Sequence, residues 1–230
     1  MNAALIVAAG KGTRMGAHVD KLFLDVGGRP VVAHTWGRFD GAKCIDEIVL
    51  VIRGGMEADF RELAQKYEFR KPFRLVAGGS ERQDSVWNGL QAISPYYDIV
   101  IIQDGARPCT PEELIERTIV AAREVGASVA AQRVTDTVKE SCDGQMISTH
   151  LKRDLLWAVQ TPQTFKVSVI LKALEAARSK NLTLTDDTAA CELIGQVVKL
   201  VECMTPNPKV TVPGDVPYIH ELMNRQNTGN

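Results

Sequence analysis

The first residues that could do chemistry form a glycine-rich segment near the amino terminus, A-A-G-K-G-T-R-M-G over residues 8–16. An apolar run precedes it, and Gly10 and Gly12 allow backbone N–H groups to close around phosphate oxygens. Arg14 and the downstream Lys21 add positive charge where a triphosphate would lie. These residue types in this order predict a phosphate-binding turn that follows a strand.

Two common phosphate-binding motifs do not match this segment. A dinucleotide fingerprint requires G-x-G-x-x-G and an acidic residue at the end of the second strand. Met15 occupies the third glycine position, and the second apolar run ends at Arg53 without an acid. A Walker loop requires G-x-x-x-x-G-K-[ST], whereas Lys11 is followed by Gly12. We therefore expect a phosphate site of another class, and a dehydrogenase is disfavoured.

A carboxylate follows another apolar run. The stretch D-I-V-I-I-Q-D-G-A-R-P over residues 98–108 predicts a buried strand that ends at Asp104. In a doubly wound sheet, a carboxylate at the carboxyl end of a strand lies at the ligand crevice. There Asp104 would hold Mg²⁺ or bind the hydroxyl groups of a substrate. The alternative is an aspartate that caps the turn and pairs with Arg107.

A second glycine-rich stretch, G-G-S-E-R over residues 78–82, lies before a helical pattern. Taken alone, it predicts a turn and a helix cap, with Ser80 as the capping residue and Arg82 in solvent. Small side chains and backbone carbonyls would also suit a pyrimidine slot, because the cytosine amino group needs an acceptor at a fixed distance.

The elements that must position these residues alternate along the chain. The runs A-L-I-V-A-A, E-I-V-L-V-I, F-R-L-V-A-G, D-I-V-I-I-Q-D and A-S-V-A-A-Q predict strands buried on both faces. Helical spacing over residues 86–93 and 114–122 predicts intervening helices, and further helices near 167–178 and 187–193 precede the strand V-V-K-L-V-E. This order predicts an α/β fold with a single doubly wound, mostly parallel sheet.

The alternation changes after Ala131. The stretches R-V-T-D-T-V-K-E and M-I-S-T-H-L-K-R predict two strands joined by a turn at Asp143-Gly144, which would form a projecting β-hairpin arm over about residues 133–153. No linker or repeat divides the chain, so we expect one domain over residues 1–230, with residues 224–230 frayed.

Composition and charge disfavour several classes of function. The 230 residues carry a formal net charge of −1, so no basic excess indicates nucleic acid as a partner. The five cysteines are odd in number and lack a C-x-x-C pair, which favours reduced core thiols over a disulfide framework or a zinc site. No signal-peptide pattern or bilayer-spanning apolar stretch is present. We expect a cytoplasmic protein with no membrane partner.

Segments spread along the chain resemble one family. The first glycine-rich segment resembles that of the nucleotidyltransferases that activate sugar phosphates. It is followed in order by G-G-S-E-R-Q-D-S-V-W-N-G-L, Q-D-G-A-R-P, V-T-D-T-V-K-E, L-K-R-D-L-L-W-A-V-Q-T-P-Q-T-F, T-D-D-T-A-A-C-E and N-P-K-V-T-V-P-G-D. Together, from Leu5 to about Asp215, these segments resemble the 2-C-methyl-D-erythritol 4-phosphate cytidylyltransferases of the non-mevalonate isoprenoid pathway.

The resemblance implies a Rossmann-like nucleotidyltransferase fold and a reaction. CTP and methylerythritol phosphate, a small sugar-alcohol phosphate, would give a CDP-alcohol and pyrophosphate, with Mg²⁺ or another divalent cation as cofactor. The resemblance also implies a homodimer in which the arm of one subunit reaches the active site of the other.

Roles for individual residues follow from the same resemblance. Arg14 and Lys21 would stabilise the pentacoordinate transition state. Arg153 and Lys209 would position the acceptor phosphate for attack. The CTP site would be lined by Ala8, Ala9, Gly10, Gly12, Gly79, Ser80 and Ser85. The acceptor would contact Asp104, Arg107, Thr137, Thr161 and Thr185.

Two alternatives stay open at the level of the sequence. A sibling enzyme that makes CDP-ribitol from ribitol 5-phosphate uses the same loop and mechanism, and a non-catalytic nucleotide-binding protein could share the fold. The arm segments favour the methylerythritol phosphate enzyme by resemblance. A mere binder need not keep the cations Arg14, Lys21 and Lys209. The chain departs from the common family pattern at Asp20 and Ser80, where proline and aspartate are usual.

Overall fold

The computed structural model describes residues 1–10 and 20–228, in which strands and helices alternate. The strands are β1 (Asn2–Ala8), β2 (Asp25–Val26), β3 (Arg29–Pro30), β4 (Glu47–Ile52), β5 (Phe73–Ala77), β6 (Ile99–Asp104), β7 (Ala127–Arg133), β8 (Lys139–Glu140), β9 (Thr149–His150), β10 (Trp157–Lys166) and β11 (Lys199–Glu202). The helices are α1 (Val31–Gly41), α2 (Glu57–Lys66), α3 (Arg82–Ala92), α4 (Glu112–Val125), α5 (Val167–Ser179), α6 (Asp187–Glu192) and α7 (Asp215–Thr228). None of these helices is both long and apolar enough to cross a membrane.

Within the described residues, seven strands form one sheet in the order β11-β7-β10-β6-β1-β4-β5. Neighbouring strands are parallel except at β10, which runs antiparallel to both β6 and β7. The predicted doubly wound, mostly parallel sheet is therefore confirmed. In such a sheet the carboxyl ends of adjacent parallel strands open on one edge, where ligands bind.

Two apolar layers cover the faces of this sheet. Ile48 and Leu50 of β4 pack in the layer that includes α1, α2 and α4, whereas Val49 and Val51 pack in the layer that includes α3 and α5. Successive side chains of a strand point to opposite faces, so both faces of β4 are buried and no polar face remains. This is why its sequence is continuously apolar.

The sequence patterns do not predict β10, because its residues W-A-V-Q-T-P-Q-T-F-K mix polar and apolar types. Three of its polar side chains, Thr161, Gln163 and Thr164, are buried and hydrogen-bonded. Thr164 Oγ1 donates to Thr118 Oγ1 at 2.9 Å, and Gln163 Nε2 donates to Asp186 Oδ2 at 3.0 Å. Tertiary hydrogen bonding therefore compensates for the polar groups that this central strand buries.

The carboxyl-terminal region differs from its prediction. Sequence patterns do not predict a helix here, but residues 224–228 continue α7, and residues 229–230 lie outside the described residues, so the expected fraying of residues 224–230 stays a prediction. Asp215 Oδ2 accepts the backbone N–H groups of Thr211 at 2.7 Å and Val212 at 3.0 Å at the start of this helix. Ile219 is buried in an apolar layer. Tertiary packing of this kind stabilises a helix that its own propensity does not predict.

The predicted hairpin arm is present, with a very short ladder. β8 pairs with β9 antiparallel over two residues. The turn lies at the predicted place, since Asp143 Oδ1 accepts the backbone N–H groups of Gln145 at 2.9 Å and Met146 at 2.8 Å. Residues 139–155 are all exposed, so the arm has no core of its own.

Candidate active site

The carboxyl ends of β1, β5 and β6 open onto a cavity of about 650 Å³. Ala9 and Gly10 follow β1, Gly79 and Ser80 follow β5, and Gly105 follows β6. The described lining consists of Val7, Ala9, Gly10, Lys21, Leu22, Gly79, Ser80, Glu81, Arg82, Ser85, Asp104, Gly105, Ala106 and Lys209. This is the edge of the sheet at which the fold predicts a ligand.

A second cavity of about 320 Å³ adjoins the first. Strand β10 supplies Thr161 to its wall, and the segment before α6 supplies Thr185. Three charged side chains, Arg82, Asp104 and Lys209, line both cavities. These three residues form the junction between the cavities. Two ligands that occupy the two cavities would meet at the junction.

Three cations surround the carboxylate of Asp104. Its Oδ2 is 2.6 Å from Lys209 Nζ and 3.8 Å from Arg107 Nε. Its Oδ1 is 3.4 Å from Arg82 Nε. Burial by itself would raise the pKa of Asp104, but the charges of these cations outweigh burial and lower the pKa to about 2. The carboxylate is therefore ionised at neutral pH.

Hydrogen bonding from β10 fixes the position of Asp104. The backbone N–H of Asp104 donates to Thr161 Oγ1 at 3.1 Å, and the Thr161 side chain is buried. Gly105, the next residue, lies so close to β1 that a Cβ on it would be 3.1 Å from the carbonyl oxygen of Val7. A side chain at this position would push β6 away from β1, so glycine suits the turn that presents Asp104.

A buried asparagine fastens the segment that carries Lys209. Asn207 Nδ2 donates to the carbonyl oxygen of Thr161 at 2.9 Å, and Asn207 Oδ1 accepts from Thr110 Oγ1 at 3.1 Å. The backbone oxygen of Asn207 accepts from Arg107 Nη1 at 2.6 Å. Burial lowers the pKa of Arg107. Arginine nevertheless stays protonated in proteins, so Arg107 remains a cation. These bonds bring Lys209 into the junction although no helix or strand carries it.

Glycines bring the segment after β5 against the end of β1. A Cβ on Gly78 would clash with the Ala9 side chain, and a Cβ on Gly79 would clash with Asp84. Because no side chain stands between them, the backbones around Ala9 and Gly79 line one cavity from two strands.

The hydroxyl groups in this corner are oriented by neighbours. Ser80 Oγ donates to Asp84 Oδ2 at 2.7 Å, so the Ser80 oxygen offers lone pairs to a ligand but no further proton. Ser85 Oγ accepts the backbone N–H of Gly79 at 3.1 Å and donates to the carbonyl oxygen of Glu81 at 3.1 Å. Glu81, not Ser80, is the N-cap of α3, so the simple capping alternative for Ser80 is wrong.

Lys21 lines the larger cavity, and the preceding Asp20 anchors its segment. Asp20 Oδ1 accepts the backbone N–H of Leu22 at 3.1 Å, and Asp20 Oδ2 pairs with Arg53 directly after β4. The backbone N–H of Val32 in α1 donates to the carbonyl oxygen of Leu22 at 2.9 Å. Asp20 thus ties the segment of Lys21 to the end of a core strand.

Most of the sequence-predicted site residues in the described part of the chain lie around the two cavities. The larger cavity is lined by Ala9, Gly10, Lys21, Gly79, Ser80 and Ser85. The smaller cavity is lined by Arg107, Thr161 and Thr185. Asp104 and Lys209 line both. Ala8 is buried at the end of β1 and lines neither. Gly12 and Arg14 lie outside the described residues.

Thr137 and Arg153 are not brought to these cavities within one chain. Both side chains are exposed on the arm, where Arg153 Nη1 donates to the carbonyl oxygen of Thr135 at 3.3 Å. Neither residue is among the described residues that line the two cavities. A role for them in this site would therefore require a second chain.

Sequence patterns missed two of the residues that organise the site, Asp187 and Asn207. The motif T-D-D before a helix predicts a cap, and Asp186 does cap α6 by accepting the backbone N–H of Ala189 at 2.9 Å. Its neighbour Asp187 is buried and lies 2.8 Å from Arg82 Nη2. The expectation that Arg82 lies in solvent is therefore wrong, because the side chain pairs with two carboxylates.

The contacts of Asp104 do not favour its role as a metal ligand. Among residues 1–10 and 20–228, no group of three or more His, Cys, Asp or Glu side chains is placed to hold a metal ion. Both carboxylate oxygens of Asp104 face cations, which repel a further positive charge. The geometry suits an ion-pair role for Asp104 better than a metal-binding role.

Comparison with protein families and named relatives gives one consistent result. The family model IspD, 2-C-methyl-D-erythritol 4-phosphate cytidylyltransferase, matches residues 2–225. The protein of that name from Alkaliphilus oremlandii is 42% identical over 227 residues, which covers 98% of this chain and 96% of the relative. The protein of that name from Syntrophotalea carbinolica is 46% identical over 217 residues, which covers 92% of this chain and 91% of the relative.

Solved structures agree with this assignment. The crystal structure of 4-diphosphocytidyl-2C-methyl-D-erythritol synthase from Anaerococcus prevotii matches this chain with a TM-score of 0.86 at 33% sequence identity. The match covers 97% of this chain and 98% of the Anaerococcus chain. The 2-C-methyl-D-erythritol 4-phosphate cytidylyltransferase from Thermus thermophilus has a TM-score of 0.79 at 29% identity, with 98% and 100% coverage. The chain belongs to the family of 2-C-methyl-D-erythritol 4-phosphate cytidylyltransferases, which are nucleotidyltransferases of the non-mevalonate isoprenoid pathway.

Proposed function

We propose that this chain performs the reaction of its family at the two joined cavities. The cytidylyl group of CTP is transferred to 2-C-methyl-D-erythritol 4-phosphate, and pyrophosphate is released. The observation that supports this location is the shared wall formed by Arg82, Asp104 and Lys209. A transfer between two phosphates needs two adjacent binding spaces with positive charge between them.

The chemistry needs no general base from the protein. The attacking oxygen belongs to the acceptor phosphate, which is largely dianionic at neutral pH. A bond forms from this oxygen to the α-phosphorus of CTP while the bond to the leaving pyrophosphate breaks. The obstacles are repulsion between the two phosphates and the charge that develops on the α-phosphate and the leaving group. Fixed cations address both obstacles.

We assign CTP to the larger cavity. Lys21 would meet the phosphates, and Ala9 and Gly10 would offer backbone contacts. Ser80 and Ser85 would lie beside the cytosine ring. The Ser80 oxygen is oriented as a hydrogen-bond acceptor, which suits the amino group of cytosine. Gly12 and Arg14, outside the described residues, would complete the phosphate loop by resemblance.

We assign the acceptor to the smaller cavity, which is richer in side chains from β10 and the α6 region. Arg107 and Lys209 would bind its phosphate, and Thr185 would lie near its hydroxyl groups. Thr161 supports this cavity indirectly, because its hydroxyl accepts the backbone N–H of Asp104.

We propose that the divalent cation, Mg²⁺ or another, arrives bound to the triphosphate of CTP. Mg²⁺ is commonly held by substrate phosphates with one or two carboxylates and several waters. Asp104 is committed to its cation partners. The metal is therefore part of the nucleotide substrate in this scheme.

We propose a homodimer built through the arm. Residues 139–155 are exposed and include apolar side chains such as Met146, Ile147 and Leu155. An element without its own core is usually stabilised by packing on another surface, and a two-fold partner is the commonest choice. This arrangement would carry Thr137 and Arg153 to the neighbouring subunit's acceptor cavity.

We also propose a cytoplasmic enzyme without nucleic-acid or membrane partners. The formal net charge of −1 provides no basic excess for polyanion binding.

Two competing assignments are tested by the choice of acceptor. Ribitol 5-phosphate would be used by the sibling enzyme, and no acceptor would be used by a pure nucleotide-binding protein. Family membership over nearly the whole chain favours methylerythritol phosphate as the acceptor over both of these alternatives.

The decisive experiment measures pyrophosphate release from CTP with each acceptor. We expect kcat/KM for methylerythritol phosphate to exceed that for ribitol 5-phosphate by on the order of 100-fold or more. Glu47→Gln is the control for protein quality, because Glu47 lies at the opposite end of β4 and pairs with Arg74. Equal rates with the two acceptors, or no release with either, would overturn the proposal.

A further inference from the structure

Arg82 lies where the two cavities meet, held between two carboxylates from different elements. It is the first residue of α3 and lines both cavities. Its Nη2 is 2.8 Å from Asp187 Oδ2, and its Nε is 3.4 Å from Asp104 Oδ1. Asp187 begins α6, whereas Asp104 ends β6. The guanidinium thus forms ion pairs with carboxylates on two sides.

Asp187 is itself built into the core. Its side chain is 1% exposed, and its backbone N–H donates to Gln163 Oε1 at 3.1 Å. Gln163 Nε2 donates in turn to Asp186 Oδ2 at 3.0 Å, which fastens the start of α6 to β10. Burying a carboxylate is costly unless a cation compensates it, and Arg82 is the cation it faces. The ion pair between Asp187 and Arg82 therefore lies next to the two cavities.

The charges at this point do not cancel. Burial raises the pKa of Asp187, and the charge of Arg82 opposes that rise. Arg82, Arg107 and Lys209 are three cations that face at most two carboxylates, Asp104 and Asp187, so the net charge of this group of ion pairs is at least +1. The two ion pairs of Arg82 use its Nε and Nη2, and Nη1 with its two N–H groups takes part in neither. The Arg82 side chain is 31% exposed at the cavity wall. A partly exposed guanidinium with donors to spare suits a phosphate group.

We propose that Arg82 is a further catalytic residue, which contacts the acceptor phosphate as it meets the α-phosphate of the nucleotide, and that Asp187 is the positioning residue that orients Arg82. This inference rests on the proposed cytidylyl transfer. Arg82 adds N–H donors at the point where charge develops, and it needs no proton transfer. Asp187 supplies no contact to substrate; it prevents the guanidinium from turning fully toward Asp104.

The test compares Arg82→Ala, Arg82→Lys and Asp187→Asn with a matched control. Glu47→Gln is that control, since it also converts a buried carboxylate paired with an arginine into an amide, at the far end of β4. With CTP and methylerythritol phosphate, we expect kcat to fall by about 100-fold or more in Arg82→Ala and by about 10-fold in Asp187→Asn. The dissociation constant for CTP alone should stay within about threefold, because the acceptor is absent. Glu47→Gln should keep the wild-type kcat.

A double-mutant cycle separates positioning from simple structural support. If Asp187 acts through Arg82, adding Asp187→Asn to Arg82→Ala should cause no further loss of kcat. Millimolar guanidinium should restore part of the activity of Arg82→Ala, which lost folding stability would not do. If Arg82→Ala fails to fold, the other two variants decide the question. A reduced kcat in Arg82→Lys and in Asp187→Asn would support the proposal, and a wild-type kcat in both would refute it.

The outcomes that overturn this inference are distinct from those that overturn the proposed function. Wild-type kcat in the Arg82 variants, or additive losses in the double mutant, would refute the roles of Arg82 and Asp187 while leaving the transfer reaction intact. A wild-type protein that releases no pyrophosphate with either acceptor would refute the proposed function first.

Discussion

Lys209 and Asp104 are 105 positions apart in the chain, yet Lys209 Nζ donates to Asp104 Oδ2 at 2.6 Å. The contact joins the irregular segment before α7 to the last residue of β6. Because Asp104 also faces Arg82, one carboxylate holds two cations that would otherwise repel each other. The two cations are thereby placed beside both cavities. In the proposed reaction they would be in position before a phosphate binds, and such preorganisation is a large contribution to catalysis of charge-forming reactions.

Replacing Lys209 should impair the chemical step more than nucleotide binding. In Lys209→Met, we expect kcat to fall by about 100-fold, because one fixed charge is lost where the two phosphates meet. The stem of the side chain is kept, so packing changes little. Steady-state kinetics with varied acceptor, beside equilibrium binding of CTP, provide the measurement. A wild-type kcat in this variant would remove Lys209 from the mechanism.

Replacing Asp104 should change how folding stability depends on pH. Its pKa is about 2 in the folded protein and 3.8 ordinarily, so its stabilisation is complete above about pH 4 and declines as pH falls toward 2. Asp104→Asn should therefore be less stable than wild type by about 2 kcal/mol at pH 7, and the difference should shrink below pH 4. Urea unfolding at several pH values measures it. A difference that stays constant as pH falls would contradict the ion-pair role.

Turnover should require a divalent cation without requiring Asp104 to hold it. Excess EDTA should abolish pyrophosphate release, because triphosphate charge must be screened before an anionic nucleophile approaches. The Mg²⁺ concentration for half-maximal activity should be the same in Asp104→Asn as in wild type, although the rate is lower. Full turnover in EDTA would exclude the cation requirement, and a raised Mg²⁺ requirement in the variant would restore Asp104 as a ligand.

The oriented Ser80 hydroxyl should contribute to selection of CTP over UTP. Ser80 Oγ donates its proton to Asp84, so its lone pairs suit the amino group of cytosine and oppose the carbonyl oxygen of uracil. We expect the wild-type preference to be worth about 1–3 kcal/mol and to decrease in Ser80→Ala. Ser179→Ala, on the exposed end of α5, is the matched control. Comparable kcat/KM for both nucleotides in wild type would count decisively against this idea.

Inactive variants should complement each other if the site is shared between subunits. Arg153→Ala removes a residue of the arm, and Lys209→Ala removes one of the junction. In a mixed dimer of the two variants, one of the two sites would contain both intact residues, so activity should partly return. Each variant alone serves as the control. Mixed dimers that are verified by native mass spectrometry and stay inactive would rule out a shared site for this pair.

The alternation of elements was readable from the sequence because strands buried on both faces need apolar residues at every position, as in β1, β4 and β6. The arm was readable because its turn depends on Asp143 and Gly144, whose hydrogen bonds and backbone conformation are local. Strand β10 escaped detection because its polar residues are compensated by partners distant in the chain. A local sequence pattern does not indicate which distant residues will become hydrogen-bond partners.

The same distinction applies to the site. Arg82 and Asp187 each lie in a stretch that locally indicates a turn or a cap, since capping and ion pairing use the same polar residue types. Only the tertiary structure, which brings the first residue of α6 to the first residue of α3, reveals that the two side chains pair. Asn207 likewise looks like an ordinary loop residue in the sequence. Its role is visible only from its hydrogen bonds with Thr161 and Arg107 in the folded chain.

By itself, the sequence determined the class of sheet and the family of the chain, because continuous strand hydrophobicity and glycine-rich turns are local requirements. Tertiary structure alone decided that Arg82, Asp104 and Lys209 form one wall between two cavities, and that Thr137 and Arg153 do not reach it within one chain. The physical reason is that electrostatic coupling depends on distance in space, and the chain order of these residues does not specify that distance.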